Sequence, residues 1–229
     1  MLDLRPFSRL GTFATDWLDA HYHFSFAAYH DPDRMGAGHL RVWNDDIIQP
    51  HSGFDPHPHR DMEIVTYVRQ GAISHQDSLG NAGRTEAGQV QVMSAGTGIR
   101  HAEYNHDDLA CVLFQIWIMP RYAGVAPRWE TRPFPRSHGL LEVLASGFPD
   151  DGEVPLIHQD ARVLGGSFDK HDEYVHTLKG RHAYLVVARG SIRVGDIVMD
   201  ARDGLLIEDE RQITFVSLDD SELVLVETV

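Results

Sequence analysis

The sequence lacks the marks of a disulfide-stabilised or membrane-spanning protein. It contains one cysteine, Cys111, so no internal disulfide can form. No apolar run is long enough to span a bilayer. The N-terminal residues MLDLRPFSRLGTF lack the apolar segment and small-residue cleavage site of a secretory signal. Cys111 lies in the apolar run ACVLFQIWIM, where a buried, unreactive thiol is expected. These absences predict a protein of the reducing cytoplasm.

Basic residues are also scarce. The chain has 20 Lys and Arg against 34 Asp and Glu, which gives a formal net charge of −14. Binding to nucleic acid requires a basic surface that neutralises phosphates, and an anionic membrane surface attracts basic segments in the same way. We therefore expect neither nucleic acid nor a membrane as a partner.

Helical periodicity is nearly absent, and short strand-like segments take its place. They are rich in Val, Ile, Thr and aromatic residues, and Gly, Asp, Asn or Pro separates them; examples are EIVTYV, QVQVM, AYLVVA and ELVLVE. Many short strands with regular turn signals are typical of a sandwich or barrel. The sequence therefore predicts an all-β fold.

The two halves of the chain share a pattern. VTYVRQGAISHQD (65–77) resembles YLVVARGSIRVGD (184–196), and LFQIWIM (113–119) resembles ELVLVET (222–228). We interpret this as a degenerate two-fold repeat that forms two similar barrels in tandem. The proline-rich segment from Pro120 to Pro135 is the expected link. It predicts an N-terminal domain of residues 1–133 and a C-terminal domain of residues 134–229.

Two residue pairs have the spacing expected of metal ligands. His57 and His59 in DPHPHRDMEIVTYV lie two residues apart, and Pro58 favours an extended chain, so both imidazoles face one side. His101 and Glu103 in GTGIRHAEYN repeat this spacing after a glycine-rich turn. Three imidazoles and one carboxylate leave two of the six positions of an octahedral divalent ion open. The pattern therefore predicts a metal site.

A third pair has the same spacing without a second pair to complete it. His21 and His23 form the sequence HYH. An isolated pair of this kind is more often solvated or hydrogen-bonded than bound to a metal. We expect these two histidines to take no part in the metal site.

The C-terminal half departs from this pattern. When the halves are aligned, His176 and Leu178 stand where the N-terminal half has its first histidine pair, and Val216 and Leu218 stand near the second pair. A single histidine cannot hold a metal ion. The C-terminal barrel is therefore predicted to lack metal ligands and to pack against, cover or shape the pocket.

These motifs together resemble the pirin family of bicupins. The resemblance rests on GFDPHPHRDMEIVTYVRQG, HQDSLGN and VMSAGTGIRHAEYN, and WLDAHYHFSFAAYHDP and FQIWIMP extend it. It covers essentially the whole chain and is especially close to bacterial pirin-like proteins described as quercetin 2,3-dioxygenases. It implies two tandem cupin barrels of the double-stranded β-helix (jelly-roll) type. It also implies metal ligands at His57, His59, His101 and Glu103.

The resemblance implies a dioxygenase that uses one divalent metal ion per chain. It favours Fe(II), and Ni, Co, Mn, Cu and Zn remain alternatives. In the implied reaction a flavonol such as quercetin binds through its 3-hydroxyl, reacts with O2 and loses carbon monoxide, with Glu103 as both ligand and proton acceptor. Aromatic residues of HFSFAAY and FQIWIM are candidates for the pocket wall. We expect the chain to act as a monomer on a small molecule.

Two other functions stay open at this point. Eukaryotic pirins resemble iron-responsive co-regulators, so the protein could be an iron-binding, redox-responsive regulator that acts through protein partners. A cupin enzyme acting on another small enol or acid metabolite is the other alternative, because a fold does not define a substrate. An accessible pocket at the metal favours an enzyme, whereas a redox-dependent surface favours a regulator.

Overall fold

The computed structural model describes residues 1–134 and 138–229, and its regular structure is almost entirely β. The described residues form 21 strands in four sheets. They include two 3-10 helices, Phe7–Arg9 and Pro149–Asp151, and no α-helix. No helix of this part of the chain is long and apolar enough to cross a membrane. The all-β prediction is confirmed.

The N-terminal unit consists of a seven-stranded and a four-stranded sheet that enclose a cavity. The strands of the larger sheet are β2 (Gly11–Ala14), β3 (Leu18–Tyr22), β4 (Leu40–Ile48), β6 (Glu63–Gln70), β9 (Gln89–Ser94), β11 (Cys111–Ile118) and β12 (Arg128–Pro133). Those of the smaller sheet are β5 (Ser52–His59), β7 (Ala72–Asp77), β8 (Ala82–Glu86) and β10 (Ile99–Asn105). The spatial orders are β12-β9-β6-β11-β4-β3-β2 and β5-β10-β7-β8.

The C-terminal unit has the same plan. Its six-stranded sheet contains β1 (Leu2–Arg5), β13 (Glu142–Ser146), β14 (Ala161–Phe168), β16 (His182–Arg189), β19 (Gly204–Glu208) and β21 (Ser221–Thr228). Its four-stranded sheet contains β15 (Glu173–Thr177), β17 (Ser191–Val194), β18 (Ile197–Asp200) and β20 (Gln212–Ser217). The spatial orders are β1-β19-β16-β21-β14-β13 and β15-β20-β17-β18.

The two orders correspond except that β2 has no counterpart in the six-stranded sheet, and this correspondence confirms the tandem repeat. The hairpin β6–β7 corresponds to β16–β17, and β9 and β11 correspond to β19 and β21. Gly71 and Gly190 form the equivalent turns with φ of 71° and 80°, a left-handed conformation that glycine adopts without steric cost. The glycines that marked the repeat in the sequence therefore serve the same purpose in both units.

Two strands, β12 and β1, can be compared with the predicted domain bounds. β12 lies within the proline-rich segment predicted as the link, pairs with β9 and ends at Pro133. β1 falls within the predicted N-terminal domain, but it pairs with β19 of the C-terminal sheet. Pro135, the predicted end of the link, lies outside the described residues. The sequence gives no sign of the β1 pairing, because the two strands lie about 200 residues apart.

The larger sheets of the two units pack face to face and share one apolar core. Trp43 and Phe114 from the N-terminal sheet join Tyr184, Val186 and Val224 from the C-terminal sheet. The interior of the C-terminal unit is a single apolar cluster. The interior of the N-terminal unit instead holds two smaller apolar clusters, and buried polar side chains line the cavity beside them. This polar interior is where the predicted metal ligands lie.

Candidate metal centre

Strands β5 and β10 bring the three predicted histidines together. His101 pairs directly with His57 across the antiparallel ladder, and His59 follows two residues later on the same face. The ring centroids are separated by 4.5 Å for His57–His101, 4.8 Å for His57–His59 and 4.9 Å for His59–His101. One nitrogen of each ring lies within 4.8 Å of the others. Nitrogens bound to one ion through bonds of about 2.1 Å lie about 3–4 Å apart, so small ring rotations suffice.

A bulge in β5 sets this arrangement. His101 and Glu103 pair with His57 and Phe54, so three steps along β5 match two steps along β10. Bulges of this kind redirect side chains near functional sites. The Nδ1 of His57 donates to the backbone carbonyl of Asp55 at 2.7 Å. Because a carbonyl can only accept, the proton is on Nδ1, and Nε2 keeps its lone pair for a metal.

His101 is the most deeply buried of the three imidazoles. Its Nδ1 lies 3.3 Å from Nδ1 of His75, and Nε2 of His75 lies 3.0 Å from the carboxylate of Asp77. Burial opposes ionisation of Asp77, but hydrogen bonds from His75 and Asn81 outweigh it and lower the pKa of this carboxyl. Asp77 therefore accepts from His75, His75 accepts from His101, and the free lone pair of His101 is on Nε2.

The Nε2 of His101 is buried and has no hydrogen-bond partner among residues 1–134 and 138–229. A buried polar atom without a partner is costly unless a ligand satisfies it. Burial, followed by the neighbouring His57, lowers the pKa of His101 to about 2 and that of His59 to about 4. Both rings are thus neutral at physiological pH, which is the form that binds metal. The donor set fits one metal ion.

Glu103 lies beside His101 at the floor of the site. Its carboxylate accepts hydrogen bonds from the side-chain amides of Gln91 and Gln115, the latter at 3.0 Å. The Glu103 carboxylate lies close to His101 and His75, and it is not part of the group formed by His57, His59 and His101. Burial raises the pKa of Glu103, although His75 and the two amides partly offset this effect. Its role as the fourth ligand therefore stays a prediction.

A cavity of about 250 Å³ opens beside the three histidines. Most of its wall is apolar, and His59 itself packs against Trp117 with ring centroids 4.9 Å apart. The apolar lining residues are Phe13, Leu18, Ala20, Tyr22, Phe26, Phe54 and Trp117. The polar ones, besides the histidines and Glu103, are Asn44, Asp46 and Gln115. The site is therefore accessible to a small, largely apolar molecule.

The aromatic residues proposed for the pocket wall do not all reach the cavity, and Tyr29 packs against a separate apolar cluster of the N-terminal unit. Phe26 and Trp117 line the cavity, whereas Phe24 and Phe114 lie in the core shared by the two units. The split within β11 follows from strand geometry, because alternate side chains point to opposite faces of a sheet. Trp117 and Gln115 face the cavity, and Phe114 faces the other unit.

Sequence reasoning assigned no role to several polar residues of this site. Asn44 and Asp46 on β4, Gln91 on β9 and Gln115 on β11 interrupt strands that are otherwise largely apolar. A polar side chain at an inward position of such a strand is the signal that could have identified them. Asp46 is buried, and burial, followed by Asp45 and Glu103, raises its pKa well above the ordinary value.

His21, His23 and His176 belong to neither candidate metal-binding group. His21 packs against Phe7 with ring centroids 4.3 Å apart, and Nδ1 of the fully buried His23 lies 2.8 Å from the hydroxyl of Tyr184. In the C-terminal unit, Nε2 of His176 lies 3.3 Å from the carboxylate of Glu227. Both candidate metal-binding groups that occur in the described parts of the chain lie in the N-terminal unit.

The register of the C-terminal strands differs in detail from the aligned repeat. His176 pairs with Ile213 across β15 and β20, whereas the alignment put Val216 near the place of His101. Pairing in the ladder, and not distance from the turn glycine, decides which residues face each other. The residue opposite His176 is apolar either way.

Comparison with known proteins agrees with this architecture. The pirin family model matches residues 4–118, and the model of the quercetinase C-terminal cupin domain matches residues 143–228. A pirin-like protein of Caulobacter vibrioides is 54% identical over 99% of both chains. A protein of Escherichia coli K12 named quercetin 2,3-dioxygenase is 42% identical, over 98% of this chain and 97% of its own.

Solved structures give the same result. A bacterial pirin from Escherichia coli in complex with nickel(II) matches with a TM-score of 0.93 and 40% identity, over 100% of this chain and 99% of the other. A quercetin 2,3-dioxygenase from Acinetobacter baumannii, at 20% identity, shares the fold with a TM-score of 0.78, over 99% of this chain and 85% of the other. With its two tandem cupin barrels and full-length similarity to these relatives, the chain belongs to the pirin family.

Proposed function

We propose that the protein is a metal-dependent dioxygenase of the pirin type that cleaves a flavonol such as quercetin with O2 and releases carbon monoxide. The observation that carries the proposal is the position of the three imidazoles. They meet at the wall of an apolar cavity, with lone pairs available, and no residue that the structure describes competes for the buried Nε2 of His101. The names of the E. coli and A. baumannii relatives support the proposed reaction.

In this proposal His57, His59, His101 and Glu103 hold one divalent metal ion. Three imidazoles and a carboxylate that leave two positions open suit Fe(II) and oxygen chemistry, whereas a structural zinc site would be closed. The nickel(II) complex of the E. coli pirin supports a divalent ion in this family. When bound, the ion supplies a Lewis acid for the substrate oxygen and a centre for reaction with O2.

The residues of the chain have their own tasks in the proposed reaction. Phe26, Phe54 and Trp117 provide flat apolar walls that hold an aromatic substrate and exclude water. Glu103 accepts the proton of the substrate 3-hydroxyl, because its buried carboxylate has a raised pKa and is therefore a stronger base than an exposed one. Gln91 and Gln115 hold this carboxylate in place.

The accessible cavity favours the enzyme over the regulator. A regulator that responds to metal oxidation needs a surface that changes shape, and it has no use for an apolar chamber beside the metal. The cavity volume, about 250 Å³, lies just below the range of about 300–1,000 Å³ common for ligand pockets. A small substrate is therefore favoured over a large one.

The test is oxygen uptake and carbon monoxide release with quercetin after anaerobic loading with Fe(II). Wild-type protein should bind one metal ion per chain and release carbon monoxide. His57→Ala and His101→Ala should lose most of the metal and the activity, and His21→Ala is the matched control that should keep both. Stoichiometric metal in the first two variants would refute the ligand set. Metal binding without oxygen uptake would shift support to the regulator or to another substrate.

A further inference from the structure

Two buried oxygen atoms on the cavity wall have no hydrogen-bond partner. They are Oδ1 of Asn44 and Oδ1 of Asp46, and no described residue satisfies either of them. The two residues are 4% and 3% exposed, so bulk water does not reach them freely. Both belong to the lining of the cavity that contains the three histidines. Burying a polar atom without a partner costs free energy, so the position of these two atoms calls for an explanation.

The geometry of β4 shows that the two side chains are directed into the cavity. Alternate residues of a strand share a face, and Asn44 and Asp46 are separated by one residue. The side chain between them, Asp45, faces away and forms ion pairs with Arg69 and Arg202. Asp45 therefore has partners on its own side of the sheet, whereas Oδ1 of Asn44 and Oδ1 of Asp46, on the cavity side, have none among the described residues. Cα atoms of alternate strand residues are about 7 Å apart, so the acceptors can serve two different groups.

The neighbouring polar side chain of Gln115 forms its hydrogen bonds with residues other than Asn44 and Asp46. Asn44 pairs across the ladder with Gln115 of β11. The amide of Gln115 donates to Glu103, and its carbonyl oxygen accepts from the hydroxyl of Thr66 at 3.4 Å. This network is closed on itself beside the metal ligands. The two unpartnered oxygens lie next to it along the same wall.

Both unpartnered atoms are acceptors, and this restricts what can satisfy them. A ligand must bring O–H or N–H donors, while the rest of the wall asks for flat apolar surface. A hydroxyl group meets the carboxyl of Asp46 in either protonation state, since a carboxyl oxygen accepts in both. A planar aromatic ring that carries several hydroxyl groups combines these two properties.

We infer that Asn44 and Asp46 determine substrate specificity by accepting hydrogen bonds from ring hydroxyls remote from the hydroxyl at the metal. This inference rests on the proposed function for the position of the ligand. A neutral hydrogen bond contributes about fivefold to affinity, so two of them predict a preference of about 25-fold.

The experiment compares two probes on anaerobic, Fe(II)-loaded protein by calorimetry. Quercetin carries ring hydroxyls in addition to its 3-hydroxyl, whereas 3-hydroxyflavone has the 3-hydroxyl alone. Wild-type protein should bind quercetin about 25-fold more tightly. Asn44→Leu and Asp46→Leu should each reduce this ratio to about fivefold, and the double variant should show a ratio near one. Asp46→Asn keeps an acceptor and should keep the preference, as should Asp196→Asn, an exposed control in the other unit.

Folding of the variants is monitored separately. Removal of a buried, unpartnered polar group should leave the melting temperature unchanged or raise it, so a Leu variant that binds poorly but melts normally has lost recognition alone. Equal binding of both probes by wild-type protein, or an unchanged preference in the double variant, would overturn the inference. Absence of binding by either probe would overturn it too.

The outcomes separate the two proposals because binding is measured without turnover. A preference that depends on Asn44 and Asp46, together with no oxygen uptake, would remove the proposed reaction and leave the specificity assignment in place. Carbon monoxide release, together with a binding preference that is unchanged in the Asn44 and Asp46 variants, would support the proposed reaction and remove the specificity assignment.

Discussion

At the residue scale, the metal centre depends on imidazoles whose protons are directed away from the site. His57 donates Nδ1–H to a backbone carbonyl, and His101 donates its own to His75, which in turn donates to Asp77. Partners of this kind fix both the tautomer and the ring orientation of a ligand. The sequence pattern identified the imidazoles, but it did not identify His75 and Asp77 as their supports. Their roles arise from pairing between β7 and β10, which local spacing does not encode.

The support of His101 can be tested directly. Asp77→Asn and His75→Phe should each weaken metal binding about 10- to 100-fold, because the tautomer and orientation of His101 are no longer fixed. A competition titration with a chelator measures this affinity without reference to activity. His51→Ala removes an exposed histidine that pairs with Asp108 and serves as the control. Unchanged affinity in both supporting variants would mean that His101 is held by other contacts.

The depressed pKa values at residue scale predict acid sensitivity of the metal-free protein. His101 and the fully buried His23 have lowered pKa values, mainly because burial disfavours the charged ring. The unfolded chain therefore takes up protons below pH 6.5 that the folded chain does not, and stability falls as pH decreases. Each group should contribute about 1 kcal/mol of loss between pH 6.5 and 5.5.

Urea unfolding at these two pH values measures the loss. His101→Leu should reduce the pH dependence, whereas the exposed-residue variant His51→Ala should retain it. An equal pH dependence in all three proteins would show that other groups dominate.

At the element scale, strand alternation explains both what could be predicted and what could not. The i, i+2 spacing placed the histidines of β5 on one face, and the same rule separates Trp117 from Phe114 in β11. The bulge in β5 has no signal in the sequence. A strand has an extra residue only in relation to the strand that pairs with it. The pairing of Phe54 with Glu103 therefore cannot be inferred from the sequence of β5 alone.

One glycine of β8 gives an element-scale prediction. A side chain at Gly83 would collide with the ring of Trp129, which stacks on His75 at a centroid distance of 4.8 Å and an angle of 9°. Gly83→Ala should therefore cost about 1–3 kcal/mol of stability by forcing this stack apart. Chemical unfolding gives the value. Gly83→Ala should cost less stability in a Trp129→Leu background than in the wild-type protein. If the costs of the two substitutions simply add in the double variant, the explanation is contradicted.

At the scale of the whole molecule, the two units are joined by a continuous core and by β1, which belongs to the C-terminal sheet although it precedes the N-terminal unit in the sequence. Sequence similarity between the halves predicted the repeated topology, because each half carries its own strands and turn glycines. It did not predict that the larger sheets bury Trp43 against Tyr184, with ring centroids 5.7 Å apart, since both residues are ordinary strand aromatics. Contacts between distant segments depend on the assembled fold.

Removal of β1 tests this coupling. A protein without residues 1–5 loses the pairing with β19 and the buried Arg5, which donates to the backbone carbonyl of His23 at 3.4 Å. We expect a loss of at least about 2 kcal/mol, or roughly 4–8 °C in melting temperature for a chain of this size. Differential scanning calorimetry should show one transition before and after the deletion. A protein that lacks only Val229 is the control, and two separate transitions in the intact chain would show that the units unfold independently.

The pairing of β1 with β19 also has a consequence for synthesis on the ribosome. Leu2 emerges from the ribosome about 205 residues before its partner Ile207. β1 must therefore stay without its partner strand until β19 has been made. The histidine-bearing strands and their neighbours, from β2 to β12, need no such delay, since every ladder among them closes before residue 134. We expect the barrel that carries the metal site to take shape on the nascent chain before β1 finds its partner in the C-terminal sheet.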